Sequence, residues 1–244
     1  MKDEDAVQTL LRQHRPDVMI HCAAYTAVDA EEADEAGAFH VNATATRQVA
    51  AACQKIGAQL VYPSADYVFA GDADRPLQPV DPAAPLNVYG RSKRAGEHSA
   101  LAADGALVVR TSWLYGRGGP NFVDTITRRA RKVGHLVVVD DQIGRPTWTA
   151  TLAWAMAELI EQATGIFHAT GGGDPVSWYG FARRVLDVQA LMASLRSVPS
   201  SMFSRPALRP AYSVLDCTQT KAAIGQPLPD WNHSLEQYLR GARV

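Results

Sequence analysis

The 244 residues carry 24 Lys+Arg against 25 Asp+Glu, with 47% hydrophobic and 20% charged residues. That near-neutral balance argues against nucleic acid as the main partner, and no apolar run approaches the roughly 18–20 residues of a membrane-spanning helix. Cys22, Cys53 and Cys217 fit neither a disulfide framework nor a metal site, and the seven histidines lack ligand spacing. The charged start at Met1 has no apolar stretch behind it and reads as no signal peptide, so a cytoplasmic protein without a metal is expected.

Ala6–His14 reads as a helix that Pro16 and Asp17 break, and Val18–Ala23, short and continuously apolar, as a buried strand. Ala33–Ile56 places alanine and aliphatic residues at helical spacing, with Gly57 as its C-cap. Gln59–Tyr62 is the next strand, followed by a Ser-Ala-Asp turn and a Pro- and Asp-rich loop from Gly71 to Leu86. A helix over Tyr89–Ala103 follows, then a strand over Ala106–Thr111, a helix over Phe122–Lys132 and a strand over His135–Val139. Thr149–Glu161 reads as a helix and Gly165–Ala169 as a strand. Beyond Gly171 the pattern loosens into a helix over Ser177–Leu191, a Pro-rich stretch over Val198–Arg209 and a last helix over Trp231–Leu239. Strands separated by helices of this length imply right-handed βαβ units and a parallel sheet, hence an α/β fold. Residues 1–170 are read as the main domain. Residues 171–244, joined by 120–150, are read as a smaller lobe over the strand ends, where such sheets bind ligands.

The run Pro85-Leu-Asn-Val-Tyr-Gly-Arg-Ser-Lys93 is the most informative stretch. A tyrosine four residues before a lysine at a helix start puts phenol and ammonium on one face, a turn apart. A free phenol has a pKa near 10, and a nearby ammonium is expected to lower it, so that Tyr89 can give a proton to a reduced carbonyl.

With that pair in view, the chain resembles the dTDP-4-dehydrorhamnose reductase family of extended short-chain dehydrogenase/reductases. The stretches that carry the resemblance begin with Ala23-Ala-Tyr-Thr-Ala-Val-Asp29, Val41-Asn-Ala43, Ser64-Ala-Asp-Tyr-Val-Phe69 and Pro85 through Lys93. They continue in order through Arg110-Thr-Ser-Trp-Leu-Tyr-Gly116, Asn121-Phe-Val123, Asp141-Gln-Ile-Gly-Arg-Pro-Thr147, Ser177-Trp178 and Arg209-Pro-Ala-Tyr-Ser213. The resemblance implies an NAD(P)-binding Rossmann-like domain with a small C-terminal substrate-binding lobe, NADPH or NADH as cofactor, and a homodimer. It implies reduction of the C4 ketone of a dTDP-4-keto-6-deoxysugar in dTDP-L-rhamnose biosynthesis, with no nucleic acid or membrane partner. Tyr89 would be the proton donor, and Lys93 would hold the nicotinamide ribose. Ala24, Tyr25 and Thr26 would touch the cofactor, largely through backbone, and Asp66 and Trp113 would contact the nucleotide-sugar.

Several of these residues have a second reading. Trp113 and Tyr25 could be packing residues, and Asp66 a turn residue accepting backbone N–H bonds. Asn42, inside a helical stretch, is expected to make a buried structural hydrogen bond. Asp141, Gln142 and Arg145, beside Gly144 and Pro146, suit polar ligand contacts or the fixing of their own loop.

Two features depart from the family. Position 65 holds alanine where the family has a Thr or Ser hydroxyl that donates to the substrate carbonyl. Ser64 is adjacent, but neighbouring strand residues point to opposite faces. No G-x-x-G-x-x-G turn occurs in the chain, so an incomplete Rossmann-like sheet without its first βαβ unit and pyrophosphate site is expected. The reading is therefore a reductase of impaired activity. The alternatives are a non-catalytic binding subunit like the regulatory subunit of methionine adenosyltransferase, and a nucleotide-sugar epimerase or dehydratase sharing Tyr-x-x-x-Lys.

Overall fold

The computed structural model describes residues 4–160 and 162–241. The chain runs α1 (Glu4–His14), β1 (Val18–Ile20), α2 (Val28–Glu31), α3 (Glu35–Phe39), α4 (Ala45–Ile56), β2 (Gln59–Ala65), α5 (Val88–Ala100) and β3 (Leu107–Thr111). It continues through β4 (Leu114–Tyr115), α6 (Phe122–Val133), β5 (His135–Val139), β6 (Ile143–Gly144), β7 (Thr147–Trp148), α7 (Thr149–Leu159) and β8 (Gly165–His168). It closes with β9 (Val176–Ser177), α8 (Trp178–Val188), β10 (Ser194–Val198), α9 (Thr218–Ile224) and α10 (Trp231–Leu239).

Strands β1, β2, β3 and β8 form a parallel sheet in that order, each joined to the next through a helix. Alternation along β2 and β3 splits the apolar residues between two faces. Leu60, Tyr62 and Val108 pack with Leu11, Val49 and Cys53 from α1 and α4, while Val61, Leu107 and Val109 pack with Leu152, Met156 and Leu159 from α7. A second core joins Tyr115, Val123, Ile126, Leu136, Trp148, Phe181, Val185, Trp231 and Leu235, so α6, α8 and α10 close around the β5–β10 pair. The fold is thus α/β with helices on both faces of a parallel sheet.

Several elements differ from the sequence reading. The strand expected over Val18–Ala23 ends at Ile20, because after the His21 N–H reaches the Val61 carbonyl at 2.9 Å the chain leaves the ladder and ties Tyr25 to Asn42 instead. The single helix expected over Ala33–Ile56 is α3 and α4 joined by a π-helical turn, His40–Thr44. Within that turn the Asn42 carbonyl accepts from Thr46 Oγ1 at 2.8 Å and the Tyr62 hydroxyl at 3.1 Å. β2 runs on through Pro63 to Ala65 in place of the expected turn. β1 has already stopped opposite Val61, so the missing proline N–H breaks no ladder bond. The His135–Val139 strand pairs with β10 outside the main sheet, and neither β10 nor α9 was visible as periodicity. Of the helix expected over Thr149–Glu161, α7 ends at Leu159 and Glu161 lies outside the described residues.

Candidate active site

Helix α5 carries both Tyr89 and Lys93, and its placement is heavily determined. Asn87 caps it, accepting from Gly90 N at 2.8 Å and donating to the Leu208 carbonyl at 2.6 Å. The helix presses so closely on its neighbours that a Cβ at Gly90 would collide with the Tyr67 carbonyl, and one at Gly96 with Asn42 and Tyr62. One turn beyond Lys93, the buried Glu97 receives Arg110 in a fork, Nε at 2.8 Å and Nη2 at 2.9 Å, together with Arg94 at 2.6 Å. Burial alone would raise the Glu97 pKa, but Arg110, Ser64 and Arg94 together hold it below the usual carboxylate value. This network fastens α5 to β2 and β3.

Tyr89 and Lys93 sit as the spacing requires, but their electrostatics differ from expectation. Lys93 is 3% exposed and donates from Nζ to the Pro63 carbonyl at 2.8 Å, with the ammonium 4.1 Å from the centre of the Tyr62 ring. Burial draws its pKa down to about 8 against the opposing pull of Glu97 and Glu31. The half-buried Tyr89 meets Tyr67 edge to face at 5.3 Å. The loss of water around its phenol pushes the pKa well above the ordinary value, and Asp66, Tyr62, Tyr67 and Glu31 push the same way. The expected lowering by Lys93 is therefore absent, because the ammonium is committed to β2. Asp66, buried just past the end of β2, belongs to the same cluster. Burial lifts its carboxyl to about 7 despite hydrogen bonds from Ser213 and backbone, and its Oδ2 has no hydrogen-bond partner among the described residues.

Ala24, Tyr25 and Thr26 follow β1 at the end of the sheet where α5 begins, half-buried or exposed. The Tyr25 N–H donates to Asn42 Oδ1 at 2.8 Å and its carbonyl accepts from Asn42 Nδ2 at 3.0 Å, so Asn42 shapes this strand end. The same Asn42 Nδ2 reaches Ser92 Oγ at 2.8 Å, and Ser92 Oγ lies 3.4 Å from the buried Glu31. Ser64 donates to Glu97 Oε1 at 2.7 Å on the α5 side of β2, while the backbone stays extended through Ala65. Its hydroxyl cannot replace the donor missing at position 65.

Trp113 lies in the second core. Its ring stacks on Trp178 with centroids 3.6 Å apart and planes 6° apart, and Phe122 packs on Trp178 at 4.5 Å. Its φ of +49° is the left-handed conformation that side chains rarely adopt, and it turns the chain between β3 and β4. Asp141 is committed to Ser200, accepting from its N–H at 2.8 Å and its hydroxyl at 3.0 Å, which favours the loop-fixing reading. Arg145 donates to the Leu215 carbonyl at 3.2 Å, and Ser112 bonds the Arg145 carbonyl at 2.7 Å. Among the described residues, Gln142 has no comparable partner. Arg209 forks onto Asp29 at 2.8 and 3.0 Å, pinning the segment after the Pro-rich stretch to α2. Glu31, Glu97, Trp178 and Arg209 escaped the sequence reading as site residues, although Trp178 and Arg209 lie in stretches that carried the resemblance. Among the described residues, no group of His, Cys, Asp or Glu is arranged to hold a metal ion, and no helix is long and apolar enough to cross a membrane.

Comparison with known proteins places this arrangement. The family model described as RmlD substrate binding domain matches residues 1–244. The chain belongs to that family. A dTDP-4-dehydrorhamnose reductase of Streptomyces griseus is 43% identical over 244 residues, covering 96% of this chain and 80% of that protein. Among solved structures, the fold matches a dTDP-4-dehydrorhamnose reductase of Bacillus anthracis in complex with NADP with a TM-score of 0.94. The two are 37% identical, over 98% of this chain and 86% of that one. A Clostridium acetobutylicum relative of the same description matches with a TM-score of 0.95 at 36% identity, over 99% and 86% of the two chains. The family thus accounts for the Rossmann-like parallel sheet.

Proposed function

We propose that this chain is an NAD(P)H-dependent reductase of the C4 ketone of a dTDP-4-keto-6-deoxysugar, acting in dTDP-L-rhamnose biosynthesis. The observation that carries the reading is the Tyr89–Lys93 pair on α5, closed in by Asp66 at the end of β2, in a chain 43% identical to a reductase of that name. Burial keeps Tyr89 a neutral phenol at physiological pH, which is the form that donates a proton to the oxygen of the reduced carbonyl. Lys93 and the strand end at Ala24, Tyr25 and Thr26 fit the nicotinamide–ribose half of the cofactor: Lys93 has three N–H groups and spends one on Pro63. When bound, the cofactor supplies the hydride. Asp66, one of whose buried oxygens has no hydrogen-bond partner among the described residues, and Trp113, a rigid aromatic face, would position the sugar nucleotide.

The test is consumption of NADPH or NADH by the purified chain with a dTDP-4-keto-6-deoxysugar. Oxidation dependent on the ketone, and abolished by Tyr89→Phe, is the expected result. Interconversion of a nucleotide-sugar without net cofactor oxidation would instead mark an epimerase. Neither reaction would mark a non-catalytic binding protein.

A further inference from the structure

Glu31 is fully buried, and the proposed reaction assigns it no contact with cofactor or substrate. Its Oε2 lies 3.4 Å from Ser92 Oγ, and its Oε1 has no hydrogen bond among the described residues. A carboxyl left so incompletely satisfied in the interior is costly unless it is protonated or balances a neighbouring charge. The cation it senses is Lys93, the residue after Ser92 on α5. Ser92 is itself held on three sides: it donates to the Tyr89 carbonyl at 2.8 Å and receives Asn42 Nδ2 at 2.8 Å, besides facing Glu31. Contacts therefore link Glu31 to Ser92, and Ser92 through Asn42 to Tyr25 on the strand end whose Cys22 also acts on Lys93.

We infer that Glu31 is a positioning residue for the reduction: packed against Ser92 of α5, it holds a compensating charge near Lys93 and keeps that buried lysine an ammonium. This rests on the proposed reductase reading only for its catalytic consequence. Around Glu31, Glu32 and Asp34 follow it in the chain, and Tyr89, Ser92 and Lys93 act on it from α5. Around Lys93 stand Glu97 on its own helix, Glu31 from α2, Cys22 and the neutral His21 from the end of β1, and Tyr62 from β2. Glu97 is already saturated by Arg110, Arg94 and Ser64, and Asp29 on α2 by Arg209. Among the described residues, Glu31 is thus the acid acting on Lys93 whose charge no other cation neutralises. Burial lifts Glu31 to about 7 and lowers Lys93 to about 8, so both change charge close to neutrality.

The direct test follows the Lys93 side-chain carbon signal through a pH titration by NMR, assigned with Lys93→Arg. In the unaltered chain, the Lys93 signal is expected to show a small inflection near pH 7 as Glu31 ionises, then its own titration near 8. Glu31→Gln should remove the first step and lower the Lys93 midpoint by about one unit, a tenfold change in ammonium fraction above the midpoint. If ketone reduction is present, the alkaline limb of kcat/KM should move down with it while KM holds, and Glu31→Asp should partly restore it. A Lys93 titration that shows no step near 7 and no response to Glu31→Gln overturns the inference; the first of these needs no folded variant. A Lys93 shift in a chain that reduces no ketone would leave the inference standing and refute the proposed function instead.

Discussion

Ser64 and Glu97 are hydrogen-bonded at 2.7 Å on the face of β2 that turns toward α5, and this bond determines what position 65 can do. With Ser64 spent on the carboxylate, the hydroxyl adjacent in sequence to the missing donor is unavailable to a substrate oxygen. Restoring the donor by Ala65→Thr should therefore raise turnover of a 4-keto sugar nucleotide. One donor at a developing oxyanion is worth about 10²–10³ in rate. Steady-state NADPH oxidation by the two proteins reads the effect, and an unchanged kcat would mean that position 65 does not face the reacting oxygen.

The Glu97–Arg110 pair makes the second prediction. Arg110 is 1% exposed and Glu97 wholly buried, and Glu97 also receives Arg94 and Ser64. Removing one partner strands a charge in the interior, which typically costs about 3–5 kcal/mol. Glu97→Leu should lower the unfolding free energy from urea melts by that amount, whereas the double change Glu97→Leu with Arg110→Met should recover much of it, since the buried guanidinium is then gone and Arg94, the other partner of Glu97, reaches solvent. Equal loss in the single and double variants would contradict the argument.

How much of this was legible in the sequence depended on what kind of signal each residue leaves. Tyr89 and Lys93 were readable because one helical turn fixes their relation locally. Trp231–Leu239 was readable because an aspartate cap and an apolar face bound it; Asp230 accepts from Asn232 N at 2.8 Å. The break in the helix at Asn42 was not, since alanine-rich spacing continues straight through the π turn and the reason for it, the Tyr62 hydroxyl, lies 20 residues away. Arg209 and Asp29 are 180 residues apart, and nothing local announces their pairing. The shift of the Tyr89 pKa was misjudged for the same reason: spacing shows that an ammonium is one turn away, but only the fold shows it turned toward Pro63.

Asp66 supplies a pH signature. Its carboxyl ionises near 3.8 in the unfolded chain and near 7 in the fold, so the native state holds the proton more tightly. The native state then binds more protons between about pH 4 and 7, and stability from this group is present below 4 and lost as pH rises through 7. Asp66→Asn, which mimics the protonated form, should gain on the unaltered chain from pH 4.5 to pH 8, by an amount on the order of 2–4 kcal/mol at the upper end. Urea midpoints of both proteins at the two pH values give the difference directly. Comparing the pair also cancels the opposite slope from His21 and His168, which burial holds neutral down to about 4. A difference that does not grow with pH would show that Asp66 is solvated and ionised in the native state.

Gly144 decides the fourth prediction, because it controls the face that Trp113 presents. Strand β6 pairs Gly144 with Val176 in β9, two residues before Trp178, and the Trp113 ring stacks on that tryptophan. A Cβ added at Gly144 would lie 2.5 Å from Trp113 Cε2 and 2.7 Å from its Nε1, both within the stacked ring system. The indole cannot absorb that overlap by flexing, since Trp178 stacks on it and is itself packed against Phe122. Gly144→Ala should therefore displace Trp113 and cost about 1–3 kcal/mol of stability. It should change the tryptophan fluorescence of the folded chain and raise KM for the sugar nucleotide about tenfold with a smaller effect on kcat, because uniform binding is what a displaced contact surface removes. If the fluorescence changes while KM does not, Trp113 is a packing residue and the sugar nucleotide is held elsewhere.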